Sequence, residues 1–179
     1  MSLERIERDV IESPYWAIQR EKEVRTLISG LDLRNKRILN VGAGRTNLND
    51  ELLGQTSGEI VNIDVEKFPN LDLVASATEL PFGDREFDAI VFLRVLHHIR
   101  DFRIALNEAL RCTKLGGFIL LSEPYSFMVK LMRAAGLDSH PPNTITRRDI
   151  EQFVSEHRFT IRKKWARIFW YYFGYQIQV

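Results

Sequence analysis

The feature that most restricts this chain is a short apolar run ending on glycines: Arg37-Ile38-Leu39-Asn40-Val41, then Gly42-Ala43-Gly44. Leu48, Leu52 and Leu53 follow at helical spacing and Gly54 stops them, so the segment reads as strand, glycine turn, helix. At such a turn the missing side chains let backbone amides approach a ligand, and a left-handed φ costs little. Asp64 closes the next apolar run, Glu59 to Ile63. A carboxylate at that strand end can accept hydrogen bonds from both hydroxyls of a ribose. Singly, each feature is also met as a tight turn or a strand cap; together, in this order, they predict a site for an adenosine-containing ligand.

The rest of the pattern alternates. Leu3, Ile6 and Val10 recur at helical spacing; Ser13-Pro14 then restarts a helix through Ala17, Val24, Leu27 and Ile28 to Gly30. A third strand is expected at Leu71 to Ala75, too close to the second for a crossover helix, and a fourth at Phe87 to Leu93. Asp101 caps a helix whose Phe102, Ala105, Leu106, Ala109 and Leu110 share a face, expected to end at Gly116-Gly117 before a strand over Phe118 to Ser122. Thr146 and Asp149 have capping-box spacing and Ile145 and Ile150 staple spacing, for a helix to about Glu156. Thr160 to Ile168 and Tyr171 to Val179 read as strands pairing antiparallel at one sheet edge, with Gly174 as a bulge. The expected fold is α/β: a doubly wound, mostly parallel seven-stranded sheet with helices on both faces and an antiparallel edge strand.

With 179 residues, 45% of them hydrophobic, one domain over 1–179 is expected: N-terminal helices in 1–30, a ligand-binding core in 37–123, and substrate-side helices with a strand pair in 124–179. Charge is nearly balanced, 25 Lys and Arg against 24 Asp and Glu, which carries no nucleic-acid footprint. The lone Cys112 allows no intramolecular disulfide and no cysteine pair for a metal, and reads as a small buried residue on a helix. No membrane span or signal peptide is visible, so the cytoplasm is the expected location.

The ordered blocks Ile38-Leu39-Asn40-Val41-Gly42-Ala43-Gly44, Val61-Asn62-Ile63-Asp64, Ala77 to Phe82, Phe87 to Val91, Val95-Leu96-His97-His98-Ile99 and Leu115-Gly116-Gly117 resemble class I S-adenosylmethionine (SAM)-dependent methyltransferases, most closely the type 11 group. The resemblance covers about residues 37 to 123. It implies a Rossmann-like methyltransferase fold, SAM as cofactor, S-adenosylhomocysteine as product and no metal. It further implies that Asn40, Gly42, Ala43 and Gly44 line the methionine end, Asp64 holds the ribose and Val65 packs on adenine. Ser76 and Ala77 then approach the adenine edge, and Leu93 and Arg94 face the methionine portion and the methyl. Three positions depart from the family: Asn40 replaces an acid, Thr46 a common third glycine and Ser76 an Asp.

His97 and His98 follow the fourth strand, where an imidazole can serve as a general base or orient an acceptor; packing at the start of the next helix or facing solvent is the other reading. Substrate-side candidates are Tyr15, Trp16, Met128 and His140, with Leu131 and Met132 as further pocket wall. The aromatic run Phe169 to Phe173 is expected either to shape specificity, to pair two subunits as a homodimer, or to pack in the last strands. The expected activity is methyl transfer to a small-molecule or glycan or lipid-precursor acceptor. A SAM-binding but inactive partner protein is the alternative, and an NAD-dependent oxidoreductase a lesser one, since its third glycine is missing.

Overall fold

In the computed structural model the described residues are 14–44, 48, 49, 53, 58–134, 145–167 and 172–179. Their elements are α1 (Pro14–Ile28), β1 (Arg37–Val41), β2 (Glu59–Asp64), β3 (Leu73–Val74), β4 (Phe87–Leu93), a 3-10 turn (Leu96–His98), α2 (Phe102–Cys112), β5 (Thr113–Pro124), α3 (Ser126–Ala134), α4 (Arg147–Glu156), β6 (Thr160–Arg167) and β7 (Tyr172–Gln178). The sheet has seven strands in the order β3-β2-β1-β4-β5-β7-β6. Neighbours from β3 through β5 pair parallel, whereas β7 pairs antiparallel with both β5 and β6. The reversed strand is therefore β7, one place in from the edge, and β6 outside it runs with the others. The order reverses between β1 and β4, so a crevice opens at their carboxyl ends.

Alternation along the strands builds two cores. Leu39, Val41, Ile63, Ile90, Phe92, Ile119 and Leu121 pack with Ala105, Leu106 and Ala109 of α2 and Ile150, Phe153 and Val154 of α4. Their neighbours Ile38, Ala89, Val91 and Leu120 face the other way, onto Val24, Leu27 and Ile28 of α1 and onto Leu48 and Leu53. Period-two strands thus place helices on both faces of one sheet.

The expected capping box is present at α4: Thr146 accepts from the Asp149 amide and Asp149 from the Thr146 amide, with Ile145 and Ile150 buried. Asp101 caps α2 by accepting from the Ile104 amide. Three expectations are corrected. The helix α2 ends at Cys112, not at Gly116-Gly117, because Thr113 takes an extended conformation and pairs with Phe87 to start β5 early. The third strand shrinks from Leu71–Ala75 to Leu73–Val74. Gly174 is not a bulge; it pairs in register with Ser122 and Trp165, and a Cβ there would stand 2.2 Å from the Trp165 ring. The register shift of that pair falls between Ile161 and Lys163. The expected first helix and most of the one after the glycine turn lie outside the described residues, although the Leu53 amide does reach the Asn49 carbonyl at 3.0 Å.

Candidate functional site

The carboxyl ends of β1, β2, β4 and β5 meet at the crevice, aligned by the pairs Val41 with Ile63, Val41 with Phe92, and Leu93 with Ser122. After β1 the chain turns through Gly42 at φ +72° and Gly44 at φ +58°. The amides of Gly42 and Ala43 both donate to the Ile63 carbonyl at 2.9 Å, which ties the turn to β2. Asp64 receives the Gly44 amide on one carboxylate oxygen at 2.8 Å and the Glu66 amide on the other at 3.0 Å. Each oxygen keeps acceptor capacity for a hydroxyl. Among the described residues, chain neighbours aside, no atom lies within 4 Å of where a Cβ on Gly44 would be, and beside Asp64 the residue Val65 is 71% exposed. Open backbone, a carboxylate and an uncovered apolar side chain fit a ribose and a purine.

The other expected contacts distribute differently. Asn40 is buried and donates its Nδ2 to the Asn62 Oδ1 at 2.9 Å, so its amide is turned to β2. The Ser76 hydroxyl meets that of Thr78 at 2.8 Å, and Ala77 packs on the core. This loop is held from α2: Glu108 accepts the Leu80 amide at 2.9 Å while Arg111 donates to the Leu80 and Phe82 carbonyls. Leu93 packs on the α1 side of the sheet. Tyr15 and Trp16 fall in the first turn of α1 and Met128 in α3, while His140 lies outside the described residues. Of the aromatic run, Tyr172 and Phe173 are buried within β7, which leaves them no outward face for pairing subunits; Phe169 to Tyr171 lie outside the described residues.

Arg94, at φ +57°, is held by charge. Its guanidinium donates to Glu23 of α1 through Nε at 2.8 Å and through Nη2, and lies 4.8 Å over the Tyr172 ring. Burial opposes its charge, but Glu23, with Tyr172 and Glu123, outweighs it and holds its pKa above the ordinary arginine value. Glu23 also accepts from the Ser122 hydroxyl. Nearby Arg20 is pulled down to about 10, by burial first and then by Arg94, with Glu23 opposing.

The two histidines separate. The Glu123 side chain is fully buried and accepts the amides of Val95 and Leu96 on Oε1, at 3.0 and 2.8 Å, and of His97 on Oε2 at 3.3 Å. The same Oε2 lies 2.7 Å from His97 Nδ1. A carboxylate can only accept, so Nδ1 carries the proton and Nε2 is the acceptor of the neutral ring. His98 is exposed, its ring centroid 3.9 Å from that of His97. Reading the sequence missed Glu123, Glu23 and Asn62. The signals were there: a carboxylate within the apolar strand Leu120-Leu121-Ser122-Glu123, and Gln19 and Glu23 spaced four apart in line with buried Leu27.

A doubly wound sheet with this order, a glycine turn after β1 and an acid at the end of β2 is the arrangement of the class I SAM-dependent methyltransferases. Residues 39–121 of this chain match the family described as methyltransferase domain. Among relatives, the demethylmenaquinone methyltransferase of Paenarthrobacter aurescens (strain TC1) is 30% identical over 120 residues, covering 61% of this chain and 47% of that protein. The ubiquinone/menaquinone biosynthesis C-methyltransferase UbiE of Rickettsia massiliae (strain Mtu5) is 38% identical over 87 residues, covering 48% of this chain and 34% of that protein. The chain thus spans about half or less of the curated relatives it matches. In fold it superposes on the PH0226 protein of Pyrococcus horikoshii OT3 with a TM-score of 0.72 at 16% identity, over 94% of this chain and 92% of that one. Among the described residues no cluster of three or more His, Cys, Asp or Glu is arranged to hold a metal, and no helix is long and apolar enough to cross a membrane.

Proposed function

We propose that this chain transfers a methyl group from SAM to a small-molecule acceptor that must lose a proton, with His97 as the base that takes it. The observation that carries the reading is the buried Glu123 against His97, at the same strand ends as the glycine turn and Asp64. When bound, SAM supplies a methyl already activated on a sulfonium, so the protein's work is alignment and proton removal. Asp64 holds the ribose hydroxyls, Val65 covers one face of the purine and the turn at Gly42 to Gly44 receives the methionine end. Glu123 fixes the His97 tautomer and favours the imidazolium that forms once Nε2 has taken the proton. The acceptor class we infer is a phenolic or quinol ring, because the relatives are named for demethylmenaquinone and ubiquinone/menaquinone biosynthesis. Loss of a ring hydroxyl proton makes either the oxygen or an adjacent ring carbon nucleophilic. Cytoplasmic location belongs to the same proposal.

The test is turnover of SAM to S-adenosylhomocysteine with a panel of hydroquinones and phenols. His97→Gln and Glu123→Gln should lower kcat by about 10²-fold or more with little change in the KM for SAM. Unchanged kcat in His97→Gln rejects the base, and wild-type protein that binds neither SAM nor S-adenosylhomocysteine in calorimetry rejects the cofactor.

A further inference from the structure

Asn40 and Asn62 lie opposite one another in the β1–β2 register, two residues before Gly42 and Asp64, and both are buried. The amide of Asn62 has one workable orientation. Its Oδ1 accepts the Leu48 amide at 2.9 Å, while its Nδ2 donates to the Leu48 carbonyl at 3.3 Å and to Asp72 Oδ2 at 3.4 Å. Turned over, its oxygen would oppose a carbonyl and a carboxylate, and its NH₂ would oppose an N–H. With Oδ1 fixed toward β1, the group at residue 40 has to donate, as Asn40 Nδ2 does. A carboxylate has no proton to offer there, and two buried oxygens would face each other.

The pair also spans the turn. Asn40 sits in β1 just before it and buried Leu48 comes four residues after Gly44, so Asn62 is hydrogen-bonded to the chain on either side of Gly42 and Gly44. We propose that Asn62 is a positioning residue for the cofactor turn, with Asn40 as its obligatory neutral donor, and that an acid at residue 40 weakens cofactor binding despite the ammonium of SAM. This rests on the cofactor reading above.

Calorimetry with S-adenosylhomocysteine on wild type, Asn40→Ala and Asn40→Asp decides it. At about pH 8 the order of affinity should be wild type, then Asn40→Ala, then Asn40→Asp, the last at least about tenfold weaker than wild type. Burial and the facing Asn62 Oδ1 favour the protonated form of a carboxyl at residue 40, so on acidification to about pH 5 Asn40→Asp regains a donor and should recover relative to wild type. Asn40→Asp binding as tightly as wild type or better than Asn40→Ala overturns the proposal, and so does a deficit that acidification leaves unchanged. If Asn40→Asp does not fold, Asn62→Ala decides: a loss of affinity supports the clamp, and wild-type affinity overturns it. Should the wild type itself fail to bind, the cofactor reading falls; the melting temperatures of the Asn40 variants, expected in the same order and with the same recovery, then decide the clamp alone.

Discussion

At Gly42 a methyl group has nowhere to go, since a Cβ would stand 2.1 Å from Val95 Cγ2 on a backbone already at φ +72°. Gly44 carries only the conformational demand, because no contact of a Cβ there is found among the described residues. Gly44→Ala should therefore cost about 1–2 kcal/mol in thermal unfolding, the penalty of a left-handed residue with a Cβ. Gly42→Ala should cost more and abolish S-adenosylhomocysteine binding, with partial recovery of the melting temperature in Gly42→Ala/Val95→Ala. Asp64→Ala should weaken that binding about tenfold or more in calorimetry, and unchanged affinity would remove Asp64 from the site. These residues were legible in the sequence because their signals are local: a glycine between a strand and a helix, an acid at a strand end. The Glu123–His97 contact was not. It joins residues 26 positions apart and exists only through the parallel pairing of β4 with β5.

The elements themselves were legible where a boundary is written in side-chain chemistry. Thr146 and Asp149 marked the start of α4, and Thr146→Ala should cost about 1 kcal/mol in urea unfolding. The end of α2 was misread because Gly116-Gly117 looked like the stop, whereas the demand of β4 for a partner at Phe87 ends the helix at Cys112. Asp88 fastens the start of this pairing: it accepts from Lys114 at 2.7 Å and from the Arg37 amide at 3.0 Å. Burial pushes its pKa up, but Lys114, the Arg37 amide and Lys36 together pull it below the ordinary aspartate value. A folded pKa below the unfolded one gives stability that is present above the unfolded value and lost as pH falls through the folded one. The melting-temperature gap between wild type and Asp88→Asn should hold at neutral pH and close as pH falls below about 4.

Across the molecule, α1 is joined to the sheet by more than its apolar stripe. Glu23, with its side chain only 1% exposed, links α1 to Arg94 after β4 and to Ser122 in β5. Glu23→Ala leaves the largely buried Arg94 without that carboxylate and should cost about 3 kcal/mol in urea unfolding; a cost near zero would show α1 to be held without this link, by Val24, Leu27, Ile28 and its other contacts. The mostly parallel sheet and its two-sided layering followed from the alternation of strand and helix patterns. The ionic links did not, because a charged residue on a helix reads as solvated until the layer above it is known.

Ser122 and Glu123 are adjacent in β5, yet one reaches Glu23 of α1 and the other His97 on the opposite side of the sheet. A pleated strand works here like a two-sided key whose teeth are cut one residue apart. Deleting any one residue between Phe118 and Leu121 while the strand keeps its pairing would turn the carboxylate toward the helix and bring Pro124 to the place that faces the imidazole. The grip on α1 and the orientation of the imidazole are therefore geared to one another: neither can be moved along β5 without moving the other.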